Sequence, residues 1–230
     1  KDWMTARASA TRSFECYDFN IKAIDTTNLW TATGTSTGTT WAVLAEPGGW
    51  VRAVTGASVA TGGCQLSMPG KYFNGTRGAG FAALIRLSAE TEVRLECGFA
   101  DVLPANNTNV INSLASATFN SVTTGAVAVF DHASGAGTTT GLYCIGSSTT
   151  GNKVATTTNR FASGVTMLIG VEVNGRNVTM FAGQPGYVIA TAANGTNAAD
   201  AWLPFIAAKT SSGTKNIDID TIWTWTNGRN

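Results

Sequence analysis

Charge is what this sequence has least of. Lys, Arg, Asp and Glu together supply 13% of its 230 residues, against roughly 25% in an ordinary globular domain. The net charge of +1 leaves no basic field for nucleic acid and no acidic one for cations. No run of eighteen apolar residues occurs, so no segment is long and apolar enough to cross a membrane as a helix, and no membrane insertion is expected. Cysteines stand at 16, 64, 97 and 144 with no CxxC, and His132 is the sole histidine. That inventory offers no zinc knuckle or other transition-metal site. The scattered thiols read as buried free cysteines rather than as a disulfide framework. No D-x-[DN]-x-[DN]-G loop is present to hold calcium. "GTRGAG" precedes a strand-like run, so no helix N-terminus follows it to cradle phosphate. No cofactor is expected.

The first residues, "KDWMTARASATRSF", neither begin with methionine nor carry the apolar stretch of a secretory signal. They suggest a cleaved chain or a piece of a longer product. Residues 1–13 include Trp3, Met4, Arg7 and Arg12 without an alternation long enough for a strand. Trp and Arg are the residues that most often anchor interfaces. The segment is expected to be an assembly arm, preceding a single domain over 14–230. Asn-x-Thr sequons begin at Asn74, Asn106, Asn177 and Asn194, and matter only in a eukaryotic secretory pathway.

What the sequence does contain is short apolar alternation, broken by clusters of Gly, Asn, Ser and Thr. Helical periodicity is nearly absent. This is the pattern of an all-β sandwich or barrel. Strands are expected near 14–22, 40–45, 49–55, 125–131, 139–146, 152–158, 186–191, 202–208 and 216–226, with "TATGTSTGTT" as a turn. In "MLIGVEVNGRNVTMF" the Asn174-Gly175 pair asks for a type I′ turn, which sets Val171 opposite Val178 and Ile169 opposite Met180. A second hairpin, "GFAALIRLSAETEVRLECGFAD", would turn at Ala89-Glu90-Thr91. It would place Leu87 opposite Val93 and Phe81 opposite Phe99, with Cys97 on the apolar face and Arg86 opposite Arg94. In "KNIDIDTIWTW", Ile217 and Ile219 are expected inward, and Asp218 and Asp220 wet. The Ile222-Trp223 step breaks the alternation and suggests a bulge.

The order of "TEVRLECGFAD", "GAVAVFDHASGAGTTTGLYCIGSS", "MLIGVEVNGRNVTMFAGQPGYVIAT" and "LPFIAAKTSSGTKNIDIDTIWTW" resembles the concanavalin A-like, laminin G-like jelly roll. More narrowly it is similar to the version in bacteriophage virion proteins, as head decorations, head fibres or tail-associated adhesins. The resemblance spans roughly residues 40 to 226. It implies an antiparallel β-sandwich located on a virion, with capsid or tail proteins and copies of itself as partners. A host surface glycan would be a further partner. An extracellular carbohydrate-binding module is the alternative, and a glycoside hydrolase a more distant one.

The hydrolase alternative needs two carboxyls about 5–5.5 Å apart for retention, and the ExDxE-type strand familiar in this fold is missing. Glu92 and Glu96 share a face in "ETEVRLE", but Arg94 lies between them and is expected to hold both ionised. No catalytic residue is therefore assigned. Asp131, His132 and Ser134 are too close in sequence to converge as a triad, and no G-x-S-x-G elbow exists. Sugar binding of the lectin type stacks a pyranose on an exposed aromatic ring beside polar partners. Trp50, after the turn in "EPGGWVRA", is the candidate platform, and Asp131 and His132 are the candidate polar contacts.

Overall fold

A computed structural model describes residues 13–19, 23–27, 29–34, 40–57, 63–70, 72–104, 109–114, 116–120, 124–132, 141–147, 152–156, 161–183, 188–192, 196–197 and 199–226. Among them the chain forms only strands and turns. Strands β1 (Ser13–Asp18), β2 (Thr31–Gly34), β3 (Thr40–Leu44), β4 (Trp50–Val54), β5 (Cys64–Ser67) and β6 (Ala79–Leu87) come first. Then follow β7 (Val93–Ala100), β8 (Ile111–Ser113), β9 (Thr118–Phe119), β10 (Gly125–His132), β11 (Gly141–Ser147) and β12 (Asn152–Thr156). β13 (Thr166–Asn174), β14 (Asn177–Gly183), β15 (Val188–Ala192), β16 (Leu203–Thr210) and β17 (Asn216–Thr226) complete the set. Trp3, Met4, Arg7 and Arg12 of the expected arm lie outside the described residues.

Two antiparallel sheets stack face to face. The eight-stranded sheet runs β15-β14-β13-β6-β17-β4-β3, with β1 also paired to β17. The seven-stranded sheet runs β12-β11-β10-β7-β16-β5-β2. Alternating residues from both sheets meet in one core: Val51 and Ala53, Phe81, Ala83 and Ile85, Leu95, Cys97 and Phe99, Ala128 and Phe130, Ile217 and Ile219. All four thiols are free, and Cys64, Cys97 and Cys144 are buried.

The main departure from the sequence reading is the β6–β7 pair, which is not a hairpin. β6 bonds β13 and β17, whereas β7 bonds β10 and β16. The intervening turn is tied to both sheets: Ser88 N–H donates to Asn216 on one side, and Ser211 N–H to the Glu92 carbonyl on the other. Glu92 takes φ 58°, the left-handed conformation that lets the chain turn the corner. Leu87, Val93, Phe81 and Phe99 do all face the core. Phe81 and Phe99 meet edge-on at 6.3 Å, but across the sandwich rather than along one sheet. Arg86 and Arg94 consequently point to opposite outer faces and never oppose each other.

The β13–β14 hairpin forms, with its register two residues away from the expected one: Val173 pairs Val178 and Val171 pairs Met180. A shift of two leaves every side chain on its own face, so the apolar pattern cannot detect it. Gly175, at the first loop position, takes φ +60°, and its N–H donates to Gly75. Arg176 has no positive φ, which fits a II′ loop with glycine in that place rather than I′. "TATG", expected as turn, is β2, paired to β5.

β17 carries its irregularity between Ile219 and Ile222, just ahead of the expected step. The extra residue brings Ile222 inward alongside Ile219 and sends Trp223 and Trp225 to the outer face, where Phe14, Leu168 and Phe181 pack with them. Trp225 fits there because Gly80 lies beneath its indole, and a Cβ at Gly80 would overlap the ring.

Gly80→Ala should therefore destabilise the chain by about 1–3 kcal/mol through overpacking, measured by urea unfolding. Because the clash is with one ring, the cost should shrink in a Trp225→Leu background. Reducing agent should leave the melting temperature unchanged. A drop of around ten degrees would instead reveal a bridge worth roughly 2–4 kcal/mol.

Candidate functional site

Among the described residues, charged side chains gather into hydrogen-bonded groups on each outer face of the sandwich. On the eight-stranded sheet, Arg52 of β4, Asp218 of β17 and Arg86 of β6 are direct cross-strand neighbours in one row. Asp218 is not wet but buried at 3% exposure. It accepts from Arg52 Nε at 2.6 Å and Nη2 at 2.9 Å, and from Arg86 Nη2 at 2.7 Å and Nε at 3.1 Å. Burial pushes this carboxyl up, but the hydrogen bonds and charges of Arg52 and Arg86 more than offset it, leaving its pKa below the usual aspartate value. Asp220, in the irregular part of the strand, moves the other way, through burial and the nearby charge of Asp18. The two aspartates therefore do not act as a matched pair.

Trp50 borders this row. It lies two residues before Arg52 on the same face, and the Arg86 guanidinium carbon lies 4.5 Å from its ring centre. Glu46, in the turn between β3 and β4, accepts from Arg86 Nη2 at 3.1 Å. Gly48 and Gly49, with φ of 100° and 69°, give that turn a path other residues rarely follow. Sequence reading singled out Trp50 and missed Arg52, Arg86 and Glu46, which are separated along the chain and gathered by strand pairing alone.

On the seven-stranded sheet the outer face is covered. Residues 109–114 and 116–120 lie across it and contribute the two-stranded hairpin of β8 and β9. Val110, Ile111, Leu114 and Ala117 pack on Val127, Val129, Ile145 and Phe205 in a second apolar cluster. Under this strap lie Arg94, Glu96 and Asp131, all buried. Glu96 Oε2 accepts the Val110 N–H at 2.7 Å and the Ile111 N–H at 3.2 Å. Arg94 donates Nη1 to the Ile111 carbonyl at 3.2 Å and Nε to Asp131 at 3.3 Å.

Arg94 is therefore not a shared hydrogen-bond partner of Glu92 and Glu96. Its hydrogen bonds go to Asp131 and the strap, and Glu92 sits in the corner turn. Burial raises Glu96 to about 7, against the lowering effects of the Arg94 charge and of the two strap N–H groups. Its second oxygen, Oε1, is buried without a hydrogen bond. Lys209, across from Arg94 on β16, is lowered by burial and by that arginine. A carboxyl poised near neutrality has the protonation chemistry of a general acid, yet it is sealed beneath main chain and reaches no solvent.

The three candidate glycan contacts are not brought together. Trp50 is on one outer face and Asp131 on the other. His132 follows Asp131 on β10, so alternation puts it on the opposite side of that strand. Its Nδ1 is buried without a partner. Among the described residues, no three metal-ligating side chains cluster.

No protein-family profile matches the sequence, and no curated protein does. Solved structures do match in fold. Peanut lectin aligns at TM-score 0.59 and 10% identity, over 94% of this chain and 98% of the lectin. The carbohydrate recognition domain of Emp47p aligns at 0.58 and 13%, over 96% and 97%. A family 16 endo-glucanase from Bacteroides ovatus aligns at 0.57 and 11%, over 90% and 98%. The chain has the lectin-like, concanavalin A-like jelly-roll fold, an architecture shared by sugar binders and sugar hydrolases alike.

The two charged centres should titrate with opposite signs. Glu96 holds its proton more tightly folded than unfolded, so stability should fall as pH rises from about 4.5 through 7. Asp218 holds its proton less tightly folded, so its contribution should be lost as pH drops below its usual value of 3.8. In urea titrations across pH, Glu96→Gln should flatten the first slope and Asp218→Asn the second. At neutral pH Asp218→Asn should also cost about 1.5–3 kcal/mol, the range for hydrogen bonds to charged groups.

Proposed function

We propose that this chain is a non-catalytic, lectin-like binding and structural module mounted on a virion surface. The observation that carries the non-catalytic part is the use to which its best-placed carboxyls are put. Asp218 is saturated by two guanidiniums, and Glu96 is spent on holding a strap. A hydrolase needs two carboxyls open to one substrate bond. On the seven-stranded sheet the strap's apolar residues cover the outer face around Glu96.

The sugar-binding part rests on the fold shared with peanut lectin and with the Emp47p carbohydrate recognition domain, and on Trp50 beside a polar row. The virion part rests on the segment order of the sequence and its sparse charge, which lets copies pack around a symmetry axis without like-charge repulsion. Its partners are then capsid or tail proteins, further copies of itself and a host surface glycan. Trp3, Met4, Arg7 and Arg12 are the residues of the docking arm.

The test has two arms. Incubation with a panel of polysaccharides should release no reducing sugar, and turnover abolished by Glu96→Gln would overturn the non-catalytic reading. Mass spectrometry of purified particles should find the chain in the virion. Deleting residues 1–12, which spares β1 from Ser13 onward, should leave the melting temperature intact and prevent incorporation into particles. A truncated chain that still incorporates would show that the arm does not dock.

A further inference from the structure

We infer that Trp50, Arg52 and Arg86 form a binding site for a saccharide bearing a carboxylate or sulfate, with Glu46 occupying the anion's place in the free protein. This rests on the sugar-binding reading and names its ligand class.

The geometry begins with strand pairing. Arg52, Asp218 and Arg86 stand side by side on three adjacent strands, so the two guanidiniums converge on one carboxylate from opposite sides. Each spends its Nε hydrogen and one Nη2 hydrogen there, and the second Nη2 hydrogen of Arg86 goes to Glu46. Among the described residues, neither Nη1 group makes a hydrogen bond or ion pair. Those groups belong to side chains 30% and 26% exposed, while Asp218 beneath them is 4% exposed. Two arginines are thus preorganised by a buried anchor, on side chains that stay partly exposed. Planar guanidiniums recognise carboxylate and sulfate oxygens through paired N–H donors in a fixed fork.

The charge count supports the same ligand. Two guanidiniums against Asp218 leave a local excess of one positive charge. Glu46 supplies the balancing anion, at 3.1 Å from Arg86 Nη2 and with its side chain 44% exposed. The two anions are held very differently. Asp218 is fixed in a central strand by both arginines, whereas Glu46 touches one arginine from a glycine-rich turn and can swing into water. An incoming anion displaces Glu46 and leaves Asp218 in place.

Trp50 decides that the anion is carried by a sugar. Its indole stands on the same face as Arg52 and is already engaged by Arg86. An aromatic ring beside polar donors suits the apolar C–H face of a pyranose. The whole chain carries a net charge of only +1, so attraction is local and acts at contact, not through a long-range field.

Calorimetric titration of the full chain tests this with three probes: oligogalacturonate for the carboxylate, chondroitin sulfate for the sulfate and cello-oligosaccharide as the neutral control. At least one acidic probe should bind ten-fold or more tightly than the neutral one, and weaken as salt rises. Trp50→Ala should weaken that binding at least ten-fold with little change in melting temperature. Glu46→Gln should tighten it about three- to ten-fold by removing the internal competitor, an outcome that a merely structural Glu46 would not give. Equal binding of neutral and acidic probes would overturn the inference while leaving the sugar-binding reading standing. Binding that ignores both substitutions would place the site elsewhere and overturn it too. No binding of any saccharide would remove both.

Discussion

The contact between β6 and β7 is the constraint from which the rest of the molecule follows. These strands are consecutive in sequence, yet each is central to a different sheet. Their apolar residues meet across the sandwich, with Phe81 against Phe99 and Ile85, Leu87, Val93 and Leu95 in the same core. Burying such side chains contributes roughly 1.5–3 kcal/mol each. In this arrangement all of them are kept from water and each strand has two hydrogen-bonded neighbours. Once these two strands stand back to back, the direction of every neighbouring side chain is decided. Arg86 must face outward on one side and Arg94 and Glu96 on the other.

The two outer faces then solve the same problem differently. A charge on a central strand costs free energy unless paired or hydrated. On the eight-stranded sheet, pairing wins: the neighbouring strands place an arginine on each side of Asp218, and the surface beyond stays open to solvent. On the seven-stranded sheet, covering wins. β10, β11 and β16 present Val127, Val129, Ile145 and Phe205 outward, and this apolar area draws the strap over the charges. Main-chain groups of the strap then supply hydrogen bonds that water would otherwise make. One face keeps polar groups available to a ligand, and the other converts them into structure.

That division explains why a fold shared with lectins and an endo-glucanase need not carry either activity in the usual manner. Function lives in sites grafted onto a fold, not in the fold itself. Here the carboxyl with the most acid-like protonation is the one least able to meet a substrate. The residues best able to meet one surround an aspartate that is already fully engaged.

By itself the sequence determined which residues face inward. Alternation with period two placed Phe81, Ile85, Cys97, Ile217 and Ile219 in the core and located most strands within a few residues. It also singled out Trp50, because a glycine turn followed by an aromatic residue is a local signal. Only the tertiary structure decided which strand lies beside which. Period two names a face but not a partner, so β6 and β7 read as a hairpin when they are layers. For the same reason the β13–β14 register could slip by two without disturbing the pattern. The arginines around Asp218 and the strap over Glu96 were illegible because they depend on pairs that the sequence does not mark, from 14 positions apart for Glu96 and Val110 to 166 for Arg52 and Asp218. Such partners are chosen by the free energy of the whole sandwich, and no local stretch of sequence records that choice.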